Sequence, residues 1–138
     1  MNDQYNFSVD IQIRMSDLDP FVHVNNGAQC HLFDFGRSRY LEHLNGDIID
    51  WTTLDLVLVH LEMDFLHPIL SHDRIACDTR IYEIGNKSMK MIQRLRDKKD
   101  GSIKTVCRSV LAGFDRITQQ SLPIRKEYRD WINRFEKL

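Results

Sequence analysis

No apolar run in this sequence approaches the roughly 20 residues that a membrane-spanning helix needs. The opening MNDQYNFSVD has neither the basic start nor the apolar stretch of a secretion signal. A cytoplasmic location is therefore expected. Charge of one sign is also lacking: 19 lysines and arginines against 20 aspartates and glutamates leave a formal net charge of −1. No global field draws such a chain to nucleic acid or anionic lipid, so any basic ligand site has to be local. Cysteine is sparse, and Cys30, Cys77 and Cys107 are widely spaced with no C-x-x-C pair. That pattern fits reduced structural thiols better than a disulfide framework or a zinc site. There is no phosphate-binding glycine loop, no Ser-His-Asp hydrolase elbow, no internal repeat and no low-complexity linker. What is there, 138 residues of which 42% are hydrophobic, matches one globular domain spanning 1–138 with enough apolar material for a real core.

Between Phe7 and Met15 apolar Phe7, Val9, Ile11, Ile13 and Met15 alternate with polar Ser8, Asp10, Gln12 and Arg14. Period two predicts a strand with one buried face. From about Gly27 to Leu44 the spacing changes, because Phe33, Gly36, Tyr40 and Leu44 recur at helical intervals and Leu32 and Phe35 widen the stripe. Asn25 or Asn26 suits the N-cap and Asn45-Gly46 the stop. The run LDLVLVHLEMDFLHP predicts a long central strand ended by His67-Pro68. Three more strands follow at about 74–84, 87–97 and 102–115, the last two joined by KKDG, whose Asp-Gly favours a hairpin. After Pro123, the positions Ile124, Tyr128, Trp131, Ile132 and Phe135 predict a terminal helix. A long apolar helix against a mainly antiparallel sheet makes the fold class α+β.

The connection DLDPFVHVNN, residues 17–26, concentrates two carboxylates, a proline, a histidine and two asparagines between the first strand and the long helix. It can be an elaborate turn, with Asp19 capping it beside Pro20. It can also be a site, because a carboxylate can act as a base or a nucleophile and a helix start carries unsatisfied N–H groups. Asp34 and Arg37, at i and i+3, read most simply as an ion pair within the helix. His60, His67 and His72 with Glu62, Asp64 and Asp73 lack the geometry of a compact metal motif, and no metal is expected.

The span 11–41, with Asp17, Asp19, His23, Val24, Asn25, Asn26, Phe33, Asp34 and Arg37, resembles the hotdog-fold acyl-CoA thioesterases of the 4-hydroxybenzoyl-CoA thioesterase type. Their strand leads into a D-x-D-x-x-G-H-V-N-N-like loop followed by a helix with an aromatic-acid pair and an arginine. FLHPILSHDRI and the closing Phe114, Asp115, Thr118 and Pro123 continue the likeness over nearly the whole chain. Two family glycines are replaced, by Val22 before the histidine and by His72 before Asp73, which removes conformational freedom at each turn.

The resemblance implies a hotdog fold, an antiparallel sheet wrapped around a long central helix with a further C-terminal helix. It implies hydrolysis of an acyl-CoA to a carboxylic acid and free CoA, with no separate cofactor. Asp19 matches the catalytic aspartate, as general base or as nucleophile. A backbone N–H near Asn26 or Gly27 is the implied oxyanion donor. His23 is a candidate for orienting Asp19, contacting substrate or transferring a proton, and Asp17 is expected to be structural. Lys87, Lys90 and Arg94, with Arg96, Lys98 and Lys99 nearby, are candidates for the CoA phosphates, Lys87 because its strand start resembles a nucleotide-contacting region of relatives. His60, Phe65 and Trp51 are candidate pocket residues. A homodimer or homotetramer with sites at the subunit boundary is implied. Two alternatives stay open: hydrolysis of acyl carrier protein thioesters, and an acyl-CoA binding protein without turnover.

Overall fold

The structure is a computed structural model that describes residues 4–46, 49–50 and 52–138. Strand β1 (Phe7–Ile11) and a 3-10 turn (Met15–Asp17) lead to helix α1 (Asn26–Leu44). Strands β2 (Leu56–Phe65), β3 (Ile75–Ile84), β4 (Ser88–Asp97), β5 (Ile103–Asp115) and β6 (Gln120–Leu122) follow, then helix α2 (Lys126–Glu136). All pairings are antiparallel, in the order β1-β3-β4-β5-β2, with β6 added to the end of β5.

Register explains which side chains meet the helix. Val9 lies opposite Cys77, Cys77 opposite Leu95, Leu95 opposite Thr105 and Thr105 opposite Phe65, so one row of inward residues crosses five strands. Helix α1 sits on this face. Its first half packs Leu32 and Phe33 with Val24, Ile69, Ile75, Cys77, Leu95 and Cys107, and its second half packs Tyr40 with Ile81, Met89, Met91, Leu111 and Ile132 of α2. Between these apolar clusters lies a polar layer. Gln93 donates from Nε2 to the Phe33 carbonyl at 3.1 Å and to Thr79 Oγ1 at 3.0 Å, and its Oε1 accepts from Arg37 Nη2 at 3.2 Å. These bonds satisfy the Gln93 carboxamide and keep the cost of enclosing it low, while Arg37 Nε is buried without a partner among the described residues.

Three sequence expectations are corrected. The first strand ends at Ile11 rather than Met15, because Asp17 draws the chain into the 3-10 turn and leaves Met15 exposed. The run at 56–65 is an edge strand of the single chain, not a central one. Its apolar residues Val57, Leu58, Val59, Leu61 and Phe65 are exposed while Leu56 and Met63 pack partly against the core, so the strand carries more apolar surface than the chain itself buries. Strand β6 has no counterpart in the sequence reading; three residues carry too short a period to detect. The terminal helix is found at Lys126–Glu136, tied to the sheet where Arg129 Nη2 donates to the carbonyls of Gly85 and Asn86.

Candidate active site

The loop before α1 is built from Asp17 outward. Asp17 is 2% exposed, and its oxygens accept from the Arg14 backbone N–H at 2.8 Å and from Arg14 Nη2 at 2.9 Å. The side-chain hydrogen bond from Arg14 holds the Asp17 carboxyl below its ordinary value of 3.8. Because the folded chain binds that proton less readily than the unfolded one, the stability it contributes is present above the ordinary value and lost as pH falls through the lower folded one. The Asp17 carbonyl accepts the Asn25 N–H at 2.8 Å, which seats the helix cap. Asp17 is structural, as expected.

Asn25 is the N-cap: its Oδ1 accepts from Gly27 N at 2.7 Å and from Ala28 N at 3.4 Å. This corrects the expectation for Gly27. Its N–H is consumed by the cap, and the absent Cβ makes room for the cap itself, since a Cβ there would stand 3.0 Å from Asn25 Oδ1. The Asn26 N–H, by contrast, has no hydrogen-bond partner among the described residues. It remains as the free donor at the positive end of the helix dipole.

Asp19 closes the turn and still has a free oxygen. Its Oδ1 accepts from the N–H groups of Phe21 at 2.9 Å and His23 at 3.2 Å, while Oδ2 has no hydrogen-bond partner among the described residues. The turn and site readings of this residue are thus compatible, one oxygen for each. His23 orients Asp19 through its backbone: its N–H donates to Asp19 Oδ1 at 3.2 Å, its carbonyl accepts from the Asp19 N–H at 2.8 Å, and the adjoining Val24 N–H ties this stretch to the Ile69 carbonyl at 2.8 Å. The turn needs a left-handed residue at 22, and Val22 supplies it at φ 62°. A β-branched residue pays for that conformation in steric strain. Val22→Gly should therefore raise stability by about 1 kcal/mol, seen as a melting temperature higher by roughly 3 °C. A lower melting temperature would sink this account of the turn. His72 is not among the positive-φ residues, so the second glycine replacement carries no such strain.

Asp19, His23 and Asn26 line one cleft of about 220 Å³ together with Val24, Gln29, Phe65 and Pro68. Phe65 is thus placed where a pocket residue was expected, whereas His60 lies outside this cleft, on exposed β2 near Glu62 at 3.7 Å. Trp51 lies outside the described residues. Asp34 pairs with Arg37 within the helix and takes no part in the cleft. Gln29 was missed by the sequence reading. It is 2% exposed, and its Oε1 accepts from Thr105 Oγ1 at 2.6 Å. A signal existed: 29, 33, 36 and 40 form one helical line, in which a glutamine is out of place among apolar and small residues.

The basic candidates sit elsewhere. The loop at 17–26 meets the sheet where β3 begins, through Val24 N–H to the Ile69 carbonyl, while Lys87 stands just before β4, at the opposite end of the strands. Ten strand residues separate the two ends by on the order of 30 Å. Lys90 faces Glu83 at 3.1 Å, and Arg94 and Arg96 share the buried Asp78 at 2.7 and 2.9 Å on the face away from α1. Burial pushes the Asp78 carboxyl up, but the hydrogen bonds from Arg96 and Arg94 outweigh it and hold the group below the ordinary range. Within one chain, then, Lys87, Lys90 and Arg94 are not brought to Asp19, and Arg94 is committed to a structural ion pair. Lys87 makes no ion pair among the described residues.

Comparisons with known proteins bear on the family and the fold. A profile described as the thioesterase-like superfamily matches residues 13–132. A thioesterase from Thermus thermophilus, solved with coenzyme A and zinc, superposes with a TM-score of 0.87 at 25% identity, covering 99% of this chain and 98% of that one. Protein SAV2348 from Staphylococcus aureus, in complex with CoA, gives 0.86 at 16% identity over 99% and 87% of the two chains. Slr0204, a 1,4-dihydroxy-2-naphthoyl-CoA thioesterase from Synechocystis, gives 0.81 at 14% identity over 91% and 94%. Among curated proteins none matches this chain. With the profile spanning the site loop, the helix and the sheet, the chain belongs to the thioesterase-like superfamily and carries the hotdog fold of those thioesterases.

Proposed function

We propose that the protein hydrolyses acyl-CoA thioesters, water and acyl-CoA giving a carboxylic acid and CoA. The observation that carries this reading is the pairing, in one cleft, of an Asp19 carboxylate oxygen and an Asn26 helix-start N–H that both lack a partner among the described residues. The thioester carbonyl oxygen is received at the Asn26 N–H, where the helix dipole favours the negative charge that develops on it. Asp19 Oδ2 then serves one of two routes. It removes a proton from water attacking the carbonyl carbon, or it attacks that carbon itself, expelling the CoA thiolate and leaving a mixed anhydride that water opens. His23 contributes by holding the turn through its N–H rather than through its ring. The CoA complexes of two structural neighbours support a CoA thioester as the ligand.

The working unit in this proposal is a homodimer or a larger assembly of dimers. Strand β2 supports it, because its unpaired edge carries exposed Val57, Leu58, Val59 and Leu61, a surface that sheet proteins ordinarily cover. The distance between Asp19 and Lys87 fits the same picture: Lys87 contacts CoA held in another subunit's site. Cys30, Cys77 and Cys107 are all free thiols, which suits a reducing compartment such as the cytoplasm, and no helix among the described residues is long and apolar enough to cross a membrane.

Thiol release from a panel of short, long and aromatic acyl-CoAs tests the reaction. Saturable release from at least one of them is expected; saturable binding without release would replace hydrolysis by a binding role. Lys87→Glu should raise KM for free acyl-CoA by about 10-fold with kcat little changed, as for the loss of one charge-assisted contact. An unchanged KM would remove Lys87 from the carrier site and favour a protein-bound acyl substrate.

A further inference from the structure

Gln29 has more hydrogen-bonding capacity than the protein satisfies. One side of its carboxamide is fixed by Thr105, which is itself fully buried on β5. The other side, Nε2, has two N–H groups and no partner among the described residues, although the residue is 2% exposed and lines the Asp19 cleft. The Nε2 atom is open to the cleft rather than sealed in the core, so a ligand oxygen that enters the cleft can take the place of water on it.

The helix sets where that acceptor lies. Gln29 follows Asn26 by three residues, and helical side chains lean toward the N-terminus, so its amide comes within one turn, on the order of 5 Å, of the Asn26 N–H. A thioester whose carbonyl oxygen is received at Asn26 presents to Gln29 an atom carried two carbons further along the acyl chain. We propose that Gln29 donates a hydrogen bond to an oxygen at that position, so that the cleft selects 3-hydroxyacyl and 3-oxoacyl thioesters over the corresponding plain acyl thioesters. This rests on the thioester-binding reading of the cleft. A plain hydrocarbon chain in the same place strands the amide, and sites built around such a donor discriminate strongly against a ligand that lacks the acceptor.

Equilibrium binding of 3-hydroxybutyryl-CoA and butyryl-CoA to the full chain carrying Asp19→Asn, in which turnover is suppressed, tests the inference. The hydroxylated ligand should bind about 10- to 100-fold more tightly. Adding Gln29→Leu should bring the ratio to near one, mainly by weakening the hydroxylated ligand. Thr105→Val offers a second route should Gln29→Leu fail to fold: it frees the carboxamide to turn and should lower the ratio partway. Equal affinities in the Asp19→Asn protein, or a ratio unmoved by both changes, would overturn the proposal. Thiol release by the wild type separates the two readings. Selective binding without release in any substrate leaves the selectivity standing and removes hydrolysis, whereas release without selectivity removes only the role of Gln29. Failure of both ligands to bind overturns both.

Discussion

Replacing Asp19 by asparagine should lower kcat/KM for acyl-CoA hydrolysis by about 100- to 10,000-fold with the fold intact. The choice of asparagine follows from the two oxygens. Oδ1 holds the turn by accepting from Phe21 and His23, and an amide oxygen does this equally well. Oδ2 supplies the negative charge that both hydrolytic routes need, and an amide nitrogen in its place supplies none. The loss should therefore fall on kcat, with KM and the melting temperature close to wild type. Asp17 is the natural control because it lies two residues away and its surroundings are opposite. Its oxygens are taken by Arg14 and the group is buried, so Asp17→Asn should show its effect in stability, through the 3-10 turn and the seat of Asn25, before any effect specific to chemistry. A folded Asp19→Asn protein that retains more than about a third of wild-type turnover would remove this carboxylate from the reaction.

The contrast between Asp17 and Asp19 also shows what the sequence could convey. The loop's polar density is visible in DLDPFVHVNN, and alternation and helical spacing place the strands and the long helix within a residue or two of where they lie, the end of β1 excepted. Hydrogen-bond competition is not visible. Whether Asn25 would consume the Gly27 N–H and leave that of Asn26 free depends on one rotamer at the helix start. Edge and centre are likewise indistinguishable when a strand is apolar on both faces, because the pattern records what is eventually covered and not what covers it. β2 reads as central on that ground and is an edge in the single chain. The basic side chains of β4 read as a ligand surface because their partners, Asp78 and Glu83, come from β3 and meet them only through register. Gln29 escaped notice for a related reason: its partner Thr105 lies 76 positions away.

Gly36→Ala should destabilise the protein by about 3 kcal/mol, although alanine is favoured over glycine by about 1 kcal/mol in a helix interior. Helix α1 lies directly against β3 and β4 here. A Cβ on Gly36 would stand 2.5 Å from Cys77 Sγ, 3.1 Å from Cys77 Cβ and 3.2 Å from Gln93 Nε2. None of these can give way cheaply. Cys77 and Gln93 are fully buried, and Gln93 is fixed by Phe33, Thr79 and Arg37, so displacing it breaks hydrogen bonds inside the core as well as crowding it. The melting temperature should fall by roughly 10 °C. The cause is separable by a double-mutant cycle. Cys77→Ala alone leaves a small cavity and has its own cost, but it removes the nearest atom, so Gly36→Ala made in that background should cost under about 1 kcal/mol. An equal cost in both backgrounds would mean that the thiol does not set the approach of helix to sheet. The site depends on that approach, because Asn26 and Gln29 ride on the same helix and Gln29 reaches Thr105 only while α1 is seated. Gly36→Ala should therefore weaken acyl-CoA turnover at temperatures where the protein is still folded, and Cys77→Ala should restore part of it.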